Sequence, residues 1–158
     1  MKKRFFPALI LAICSLFIIA GCATATGYRF ERFESVSALA GHLYLYRSGG
    51  FVGSTNPYEV IVAGKRRGFL KHGGYLKLDL EPGRHEVFMQ PVYGVPSLVP
   101  QSIQIEISPE QRYFFKLSIE TVRVADRFGN LRYEVANKLD AVSDEMAASE
   151  LPGLRYSE

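Results

Sequence analysis

The 158-residue chain carries 19 lysine and arginine residues against 16 aspartate and glutamate residues, which gives a formal net charge of +3. Three of those basic residues stand at positions 2 to 4, so a chain that lacks its first 21 residues has 16 charges of each sign. That balance argues against a nucleic-acid-binding protein, which needs a basic surface. The shortened chain keeps one cysteine, Cys22, so no disulfide can form within it.

The N-terminus has the pattern of an export signal. The basic residues precede an apolar run at 5–20. A helix that spans a bilayer needs about 20 residues, so this run is too short to be one. The segment Ile19-Ala20-Gly21-Cys22 then resembles the lipobox of bacterial lipoproteins. The resemblance implies cleavage before Cys22 and attachment of fatty acyl chains such as palmitate. An ordinary signal peptide that happens to contain a cysteine is the alternative. We therefore predict a lipoprotein signal peptide at 1–21 and a lipidated cysteine with a tether at 22–39.

Apolar residues with a period of two predict a series of β-strands after the tether. The first strand is apolar on both faces, which indicates a central position in a sheet. Gly73-Gly74 suits a hairpin turn, and Pro82-Gly83 suits a type II turn. The predicted strands cover 43–47, 58–63, 67–71, 75–80, 85–90, 102–107, 112 to about 125 with a bend near 120, and 131–136.

The composition changes after the last predicted strand. Residues 143–151 favour a helix with Ser143 as its N-cap, and Pro152-Gly153 would end it. The predicted fold is all-β: an antiparallel β-sandwich at 40–137, followed by one short C-terminal helix and a tail at 138–158. A mature chain of this length fits one domain.

Three motifs carry a resemblance to a known family. They are LYLYR at 43–47, GFLKHGGY at 68–75 and LEPGRH at 80–85. Together they resemble small bacterial lipoproteins built on a domain of unknown function with the pattern YVYR, GxLxxGGY and PGxH, over about residues 40–136. The middle stretch is also similar to PEGA-type hairpins. The resemblance implies a lipid-anchored, Ig-like or PEGA-like sandwich, and it supplies no catalytic residue.

The sequence contains no catalytic or metal-binding pattern. Its histidines, at 42, 72 and 85, lie outside any HExxH motif and are expected at surface or turn positions. No GxSxG motif supplies a nucleophile, and the glycine-rich stretch at 49–53 lacks the lysine and the helix of a phosphate loop. We therefore predict no metal, no cofactor and no enzyme. The basic run at 65–67 is either a solvated hairpin tip or a contact for anionic glycolipid or wall polymer.

These observations predict a non-enzymatic envelope lipoprotein that binds or assembles a partner. Ala23 stands where many inner-membrane lipoproteins carry aspartate, so we expect an outer-membrane anchor facing the periplasm. The alternative is a polysaccharide- or peptidoglycan-binding module, which would need a solvent-facing aromatic row of Tyr44, Tyr46 and Tyr75. The apolar, proline-rich loop at 91–101 either caps the sandwich or contacts an envelope protein or glycan. Its candidate contact residues are Tyr93, Val95, Leu98 and Val99.

Overall fold

The structure is a computed structural model that describes residues 23–50 and 52–158, so Cys22 and the predicted signal peptide lie outside the described residues. No helix within the described ranges is long and apolar enough to cross a membrane. The elements are β1 Gly41–Arg47, β2 Tyr58–Val62, β3 Lys65–Leu70, β4 Gly74–Leu80, β5 Gly83–Pro91, β6 Gln101–Ile107, β7 Arg112–Ala125, β8 Leu131–Ala141, α1 Asp144–Glu150, a 3₁₀ turn Leu151–Gly153 and β9 Arg155–Tyr156.

The strands form two sheets. One sheet has the order β8-β7-β1-β4-β9, and the other has the order β3-β2-β5-β6. Most neighbouring strands are antiparallel, while β1 pairs with β7 and β4 pairs with β9 in parallel. The prediction of an all-β sandwich with one short C-terminal helix is confirmed.

The inner core lies between the two sheets because each strand turns its apolar alternate residues towards the opposite sheet. The strand β6 shows this arrangement clearly: Ile105 and Ile107 are buried, while Gln104 and Glu106 are exposed. The inner core contains Leu43, Leu45, Tyr58, Val60, Val62, Leu70, Leu76, Leu78, Leu80, Val87, Met89, Ile105, Ile107 and Leu117.

A second apolar layer covers the other face of the five-stranded sheet. We call it the outer cluster: Phe30, Tyr44, Tyr46, Tyr75, Phe114, Ala147, Leu151 and Leu154. Its aromatic rings meet mostly edge to face; Phe30 and Tyr75, for example, have centroids 5.4 Å apart. All seven residues of β1 are buried as a result, which confirms its central position.

The predicted tether at 22–39 must be revised for its first described residues, because residues 23–30 belong to the folded domain. Ala23 and Ala25 are buried. The amide of Ala25 donates to the carbonyl of His72 at 3.0 Å, and the amide of His72 donates to the carbonyl of Ala23 at 2.9 Å. Small side chains allow this close approach, and their low hydrophobicity concealed it in the sequence.

The C-terminal residues also belong to the domain. The strand β8 continues to Ala141, beyond the predicted boundary at 137, and β9 adds to the edge of β4. The Ser143 hydroxyl accepts the amide of Met146 at 3.3 Å, so the predicted N-cap is confirmed. The helix α1 packs Ala147 into the outer cluster, which completes the cover over β1.

The predicted hairpin at Gly73-Gly74 is wrong. The strands that flank it, β3 and β4, lie in different sheets, so the glycines carry the chain across the sandwich. A Cβ at Gly74 would lie 2.1 Å from the Ser157 hydroxyl oxygen, which explains the need for glycine there. The tight hairpin joins β2 and β3 instead: Ala63 (φ 50°) and Gly64 (φ 73°) both have positive φ, as a type I′ turn requires.

The strands β7 and β8 form a long ribbon. They pair without interruption from Phe115 and Ala141 to Ala125 and Leu131. The strand β1 pairs with β7 only as far as Lys116. The distal half of the ribbon therefore extends past the sandwich as two strands alone.

We expect Ile105→Asp to unfold the domain and Glu106→Lys to leave it folded. The first change removes a buried side chain and introduces a buried charge, at a cost of more than about 3 kcal/mol. The second alters an exposed side chain on the same strand. Thermal unfolding followed by circular dichroism checks this, and equal melting temperatures would contradict the register of β6.

Candidate functional site

The loop between β5 and β6 lies at one end of the sandwich and exposes most of the predicted contact residues. Tyr93 is 56% exposed, and Val95 and Val99 are also exposed. Leu98 is only 6% exposed, so it fixes the loop to the domain and is not available to a partner. Leu98 therefore caps the sandwich, while Tyr93, Val95 and Val99 present an apolar surface to solvent.

A buried asparagine holds this loop in place. The Asn56 side chain donates to the carbonyl of Tyr93 at 2.8 Å and accepts the amide of Tyr93 at 3.0 Å. The amide of Val92 donates to the carbonyl of Pro57 at 3.0 Å. Because the backbone of Tyr93 is bound on both sides, its exposed ring projects from a fixed position. Such preorganisation lowers the entropy lost on binding.

Arg47, at the end of β1, binds the segment that carries Asn56. Its buried guanidinium donates to the carbonyls of Asn56 at 2.7 Å and Gly53 at 2.5 Å. It also lies over the Tyr58 ring, 5.9 Å from the centroid. Burial lowers the pKa of Arg47 and raises the pKa of Tyr58 to about 12. Among residues 23–50 and 52–158 no carboxylate forms a salt bridge with Arg47, so carbonyl dipoles and an aromatic ring satisfy the charge.

The far side of the loop is bound to β8. The amide of Val99 donates to the Asn137 side-chain oxygen at 2.9 Å, and the Asn137 side-chain nitrogen donates to the carbonyl of Val99 at 2.7 Å. Two asparagines therefore clamp the loop at both ends. Sequence reasoning missed Asn56, Asn137 and Arg47. Only Arg47 gave a signal, as a charged residue at the end of an otherwise apolar strand, because Asn56 and Asn137 stand among other polar residues.

The three tyrosines of the predicted glycan-binding row face the outer cluster. Tyr44, Tyr46 and Tyr75 are each less than 5% exposed. The Tyr46 hydroxyl donates to Glu150 at 2.7 Å, and Glu150 also accepts Lys116 at 2.5 Å. Burial would raise the pKa of Glu150, but these two hydrogen bonds lower it overall. The tyrosines join α1 to the sheet, so they present no row to solvent.

A groove of about 380 Å³ opens beside the outer cluster, between residues 28–34 and the sheet. Two of its charged residues are already paired with each other: the Lys77 ammonium contacts Glu34, and it also lies 3.4 Å from Asp79. The ring of Tyr28 stacks on Tyr156, with centroids 5.0 Å apart. These contacts explain how the N-terminal segment is held on the sheet.

The histidines do not form a site together. His85 is half-buried on β5, and its ring nitrogen is 2.8 Å from the carbonyl oxygen of Glu81. His42, expected at the surface, is instead buried, with Nε2 3.2 Å from Asp79. Burial, and then the Lys77 charge, lower the pKa of His42. Within the described part of the chain, no three His, Cys, Asp or Glu residues are grouped closely enough to hold a metal ion.

The remaining predicted sites contribute little to this end of the sandwich. The basic run at 65–67 opens the edge strand β3 and is exposed. Arg66 lies over Phe69, 5.5 Å from its centroid, and 3.7 Å from Glu59, so part of this charge is engaged within the domain. Cys22, the predicted lipidation site, lies outside the described residues.

The comparisons with known proteins point to one family. The family described as "Protein of unknown function (DUF2846)" matches residues 37–129, which is more than half of the chain. The matched range contains β1 to β7, the candidate loop at 91–101 and Asn56. Asn137 lies outside it. The searches of curated proteins and of solved structures return no match.

We expect Leu98→Ala and Tyr93→Ala to have different effects. Leu98→Ala removes a buried side chain and should lower the free energy of unfolding by about 2 kcal/mol. Tyr93→Ala removes an exposed ring whose backbone stays bound to Asn56, so the melting temperature should be unchanged. Thermal unfolding of both variants checks this. A large loss of stability in Tyr93→Ala would mean that the ring serves the fold and is not free for a partner.

We also expect a loss of stability as the pH falls below about 6.5, the pKa of an unfolded-state histidine. The lowered pKa of His42 means that the unfolded state takes up its proton first, so acid favours unfolding until the folded-state pKa is passed. His42→Gln should reduce this slope. The measurement is the melting temperature between pH 7.5 and about pH 5. The pKa of His72 is also lowered by burial, so a smaller slope should remain. An unchanged slope in the variant would contradict the assignment.

Proposed function

This chain belongs to the DUF2846 family of proteins of unknown function, and from that premise we propose that it is a lipid-anchored envelope lipoprotein that binds or assembles a partner and catalyses no reaction. The observation that carries the binding role is the loop at 91–101. It holds exposed apolar side chains on a backbone that two asparagines fix. A connector that only joined β5 to β6 would need neither the length nor the exposed ring of Tyr93.

The anchor is proposed from the segment Ile19-Ala20-Gly21-Cys22 and the export signal before it. The fold gives this proposal a structural consequence. Ala23, the next residue, already packs in the domain. Acyl chains on Cys22 would therefore hold the sandwich close to the bilayer, without a flexible spacer. Several acyl chains are needed for a firm hold, since each buried CH₂ adds about 0.8 kcal/mol.

The proposed location is the outer membrane, with the domain facing the periplasm, because alanine follows Cys22. The proposed partner is an envelope protein, and a glycan is the alternative. An envelope protein is the better match to the loop, because the exposed side chains of Tyr93, Val95 and Val99 are largely apolar and the carbonyls of Tyr93 and Val99 are already bound within the domain. The glycan alternative required an exposed row of tyrosines, and those tyrosines are buried.

Cys22→Ser should release the protein from membranes or leave the signal uncleaved. Membrane fractionation of intact cells and the intact mass of the purified protein check this. A wild-type mass without lipid would overturn the anchor. Fractionation of the wild type is the cleaner test of location, because Ala23→Asp would also bury a carboxylate at a position that is 7% exposed.

The binding role is tested separately by crosslinking in intact cells. Wild type and Tyr93→Ala are compared, with Leu39→Ala as the matched control, because Leu39 is an exposed apolar residue before β1, at the opposite end of the sandwich. The proposal expects one crosslinked envelope protein to be lost in Tyr93→Ala and kept in the control. Equal crosslinking in all three would overturn the role of the loop.

A further inference from the structure

The strand β8 forms one edge of the five-stranded sheet. It is 11 residues long, and within the described residues it pairs only with β7. Every second residue of such a strand directs its backbone N–H and C=O away from the sheet. A long open edge is a template for another strand, and proteins usually protect it.

Two other edges of the sandwich are protected. The strand β9 has only two residues, and the N-terminal segment crosses it at Arg29. The strand β3 begins with three exposed basic residues and has a register shift opposite Val60 and Ile61. Charge and irregularity of this kind discourage strand addition. The strand β8 has a regular register along its whole length.

The charges of β8 are complementary to those of an identical strand that runs in the opposite direction. Arg132, Glu134, Lys138 and Asp140 alternate along the strand with uncharged residues, so they share one face of the sheet. They pair at present along the strand: Arg132 with Glu134 at 2.7 Å and Lys138 with Asp140 at 2.6 Å. Read in the opposite direction, the signs of the four charges are reversed at each position.

We propose that β8 pairs antiparallel with β8 of a second copy of this chain, with the two-fold axis at Ala136. In this register Arg132 lies opposite Asp140 of the second copy, and Glu134 lies opposite its Lys138. The two-fold symmetry repeats both contacts, which gives four pairs of opposite charge. Cross-strand pairs of this kind stabilise a sheet, whereas like charges directly opposite each other destabilise it.

The charges select this register over its neighbours. A shift of two residues keeps the side chains on their faces, because the side-chain period is two. Moving the axis to residue 135 places Arg132 opposite Lys138. Moving it to residue 137 places Glu134 opposite Asp140. Each shift replaces attraction by repulsion, so the axis at Ala136 is the one that satisfies all four charges.

The other face of β8 supports the same partner. Tyr133 is 73% exposed on the ribbon, and Leu131 is also exposed. In the proposed register Tyr133 lies opposite Leu139 of the second copy, and Leu131 lies opposite its Ala141. Apolar side chains that the isolated chain leaves in water would thus be covered. The distal ribbon, which extends past β1, would lie along the body of the second copy within a continuous ten-stranded sheet.

A cysteine at the axis tests the proposal. In the full-length chain, Ala136→Cys places two sulfur-bearing residues directly opposite each other, with Cα atoms about 5 Å apart, within disulfide range. Ala141→Cys is the matched control, because it also replaces an uncharged alanine of β8 and its copies would lie about 34 Å apart, ten residues along the pair. The wild-type chain, with its cysteines at 14 and 22, gives the background. After mild oxidation, a non-reducing gel should show a doubled mass for Ala136→Cys alone.

Charge exchange gives a second measurement that does not depend on a thiol. Glu134→Lys and Lys138→Glu each place like charges opposite each other and should abolish the Ala136→Cys link. The double variant Glu134→Lys/Lys138→Glu restores the pairs and should restore the link. Unchanged melting temperatures would show that the fold is intact.

Three results would overturn the proposal: no link at 136 in a folded protein, equal links at 136 and 141, or a link to a different protein. None of these depends on the acylation of Cys22. An unacylated protein that still links at 136 would contradict the lipid anchor and support the self-pairing. An acylated protein that does not link at 136 would support the anchor and contradict the self-pairing.

Discussion

The structure depends on the burial of β1 on both faces. An antiparallel sandwich usually exposes one face of each sheet to water. Here Leu43 and Leu45 face the inner core, while Tyr44 and Tyr46 face the opposite way and are equally buried. The domain therefore needs a second cover over its five-stranded sheet. Residues from both termini supply that cover: Phe30 from the N-terminal side, and α1 with Leu154 from the C-terminal side.

This constraint explains why the segments at the ends of the chain are part of the domain. Their apolar side chains would not form a core alone, but they complete one over aromatic rings that already stand on the sheet. It also explains the position of Arg47. The strand β1 ends in a buried region, so its last side chain must find hydrogen-bond acceptors there, and the loop carbonyls of Gly53 and Asn56 provide them. The fixed loop at the end of the sandwich is thus a consequence of the buried central strand.

The strands could be predicted from the sequence because their signal is local. Ile105 and Ile107 alternate with polar residues, and that alternation is visible in six consecutive positions, 102–107. The N-cap at Ser143 is local in the same way. The prediction of a hairpin at Gly73-Gly74 was wrong because the residues of a turn do not determine which sheet the next strand joins. The positive φ of Gly73 fits a turn, but the crossing is decided by the packing of Gly74 against Ser157, which is distant in sequence.

The candidate site could be predicted only in part for the same reason. The apolar loop with Tyr93 was visible as a composition that a connector does not need. Its clamps were not visible, because Asn56 and Asn137 lie 37 and 38 residues from the loop residues that they bind. The charged residues of β8 were likewise visible in the sequence. They indicate a pairing partner only once the strand is known to lie at an open edge of a sheet.

The loop and the edge of β8 are physically connected. Asn137, which binds Val99, stands one residue from Ala136. Self-pairing of β8 about Ala136 would therefore bring two copies of the loop to the same face of one sheet, on either side of the axis. Two fixed apolar loops side by side would offer a partner a larger surface than one loop, and a partner with two matching sites would gain affinity from the second contact without any new kind of interaction. On this argument, the pairing of the chains and the binding of a partner reinforce each other, since whatever holds two loops together also favours the paired strands that place them there.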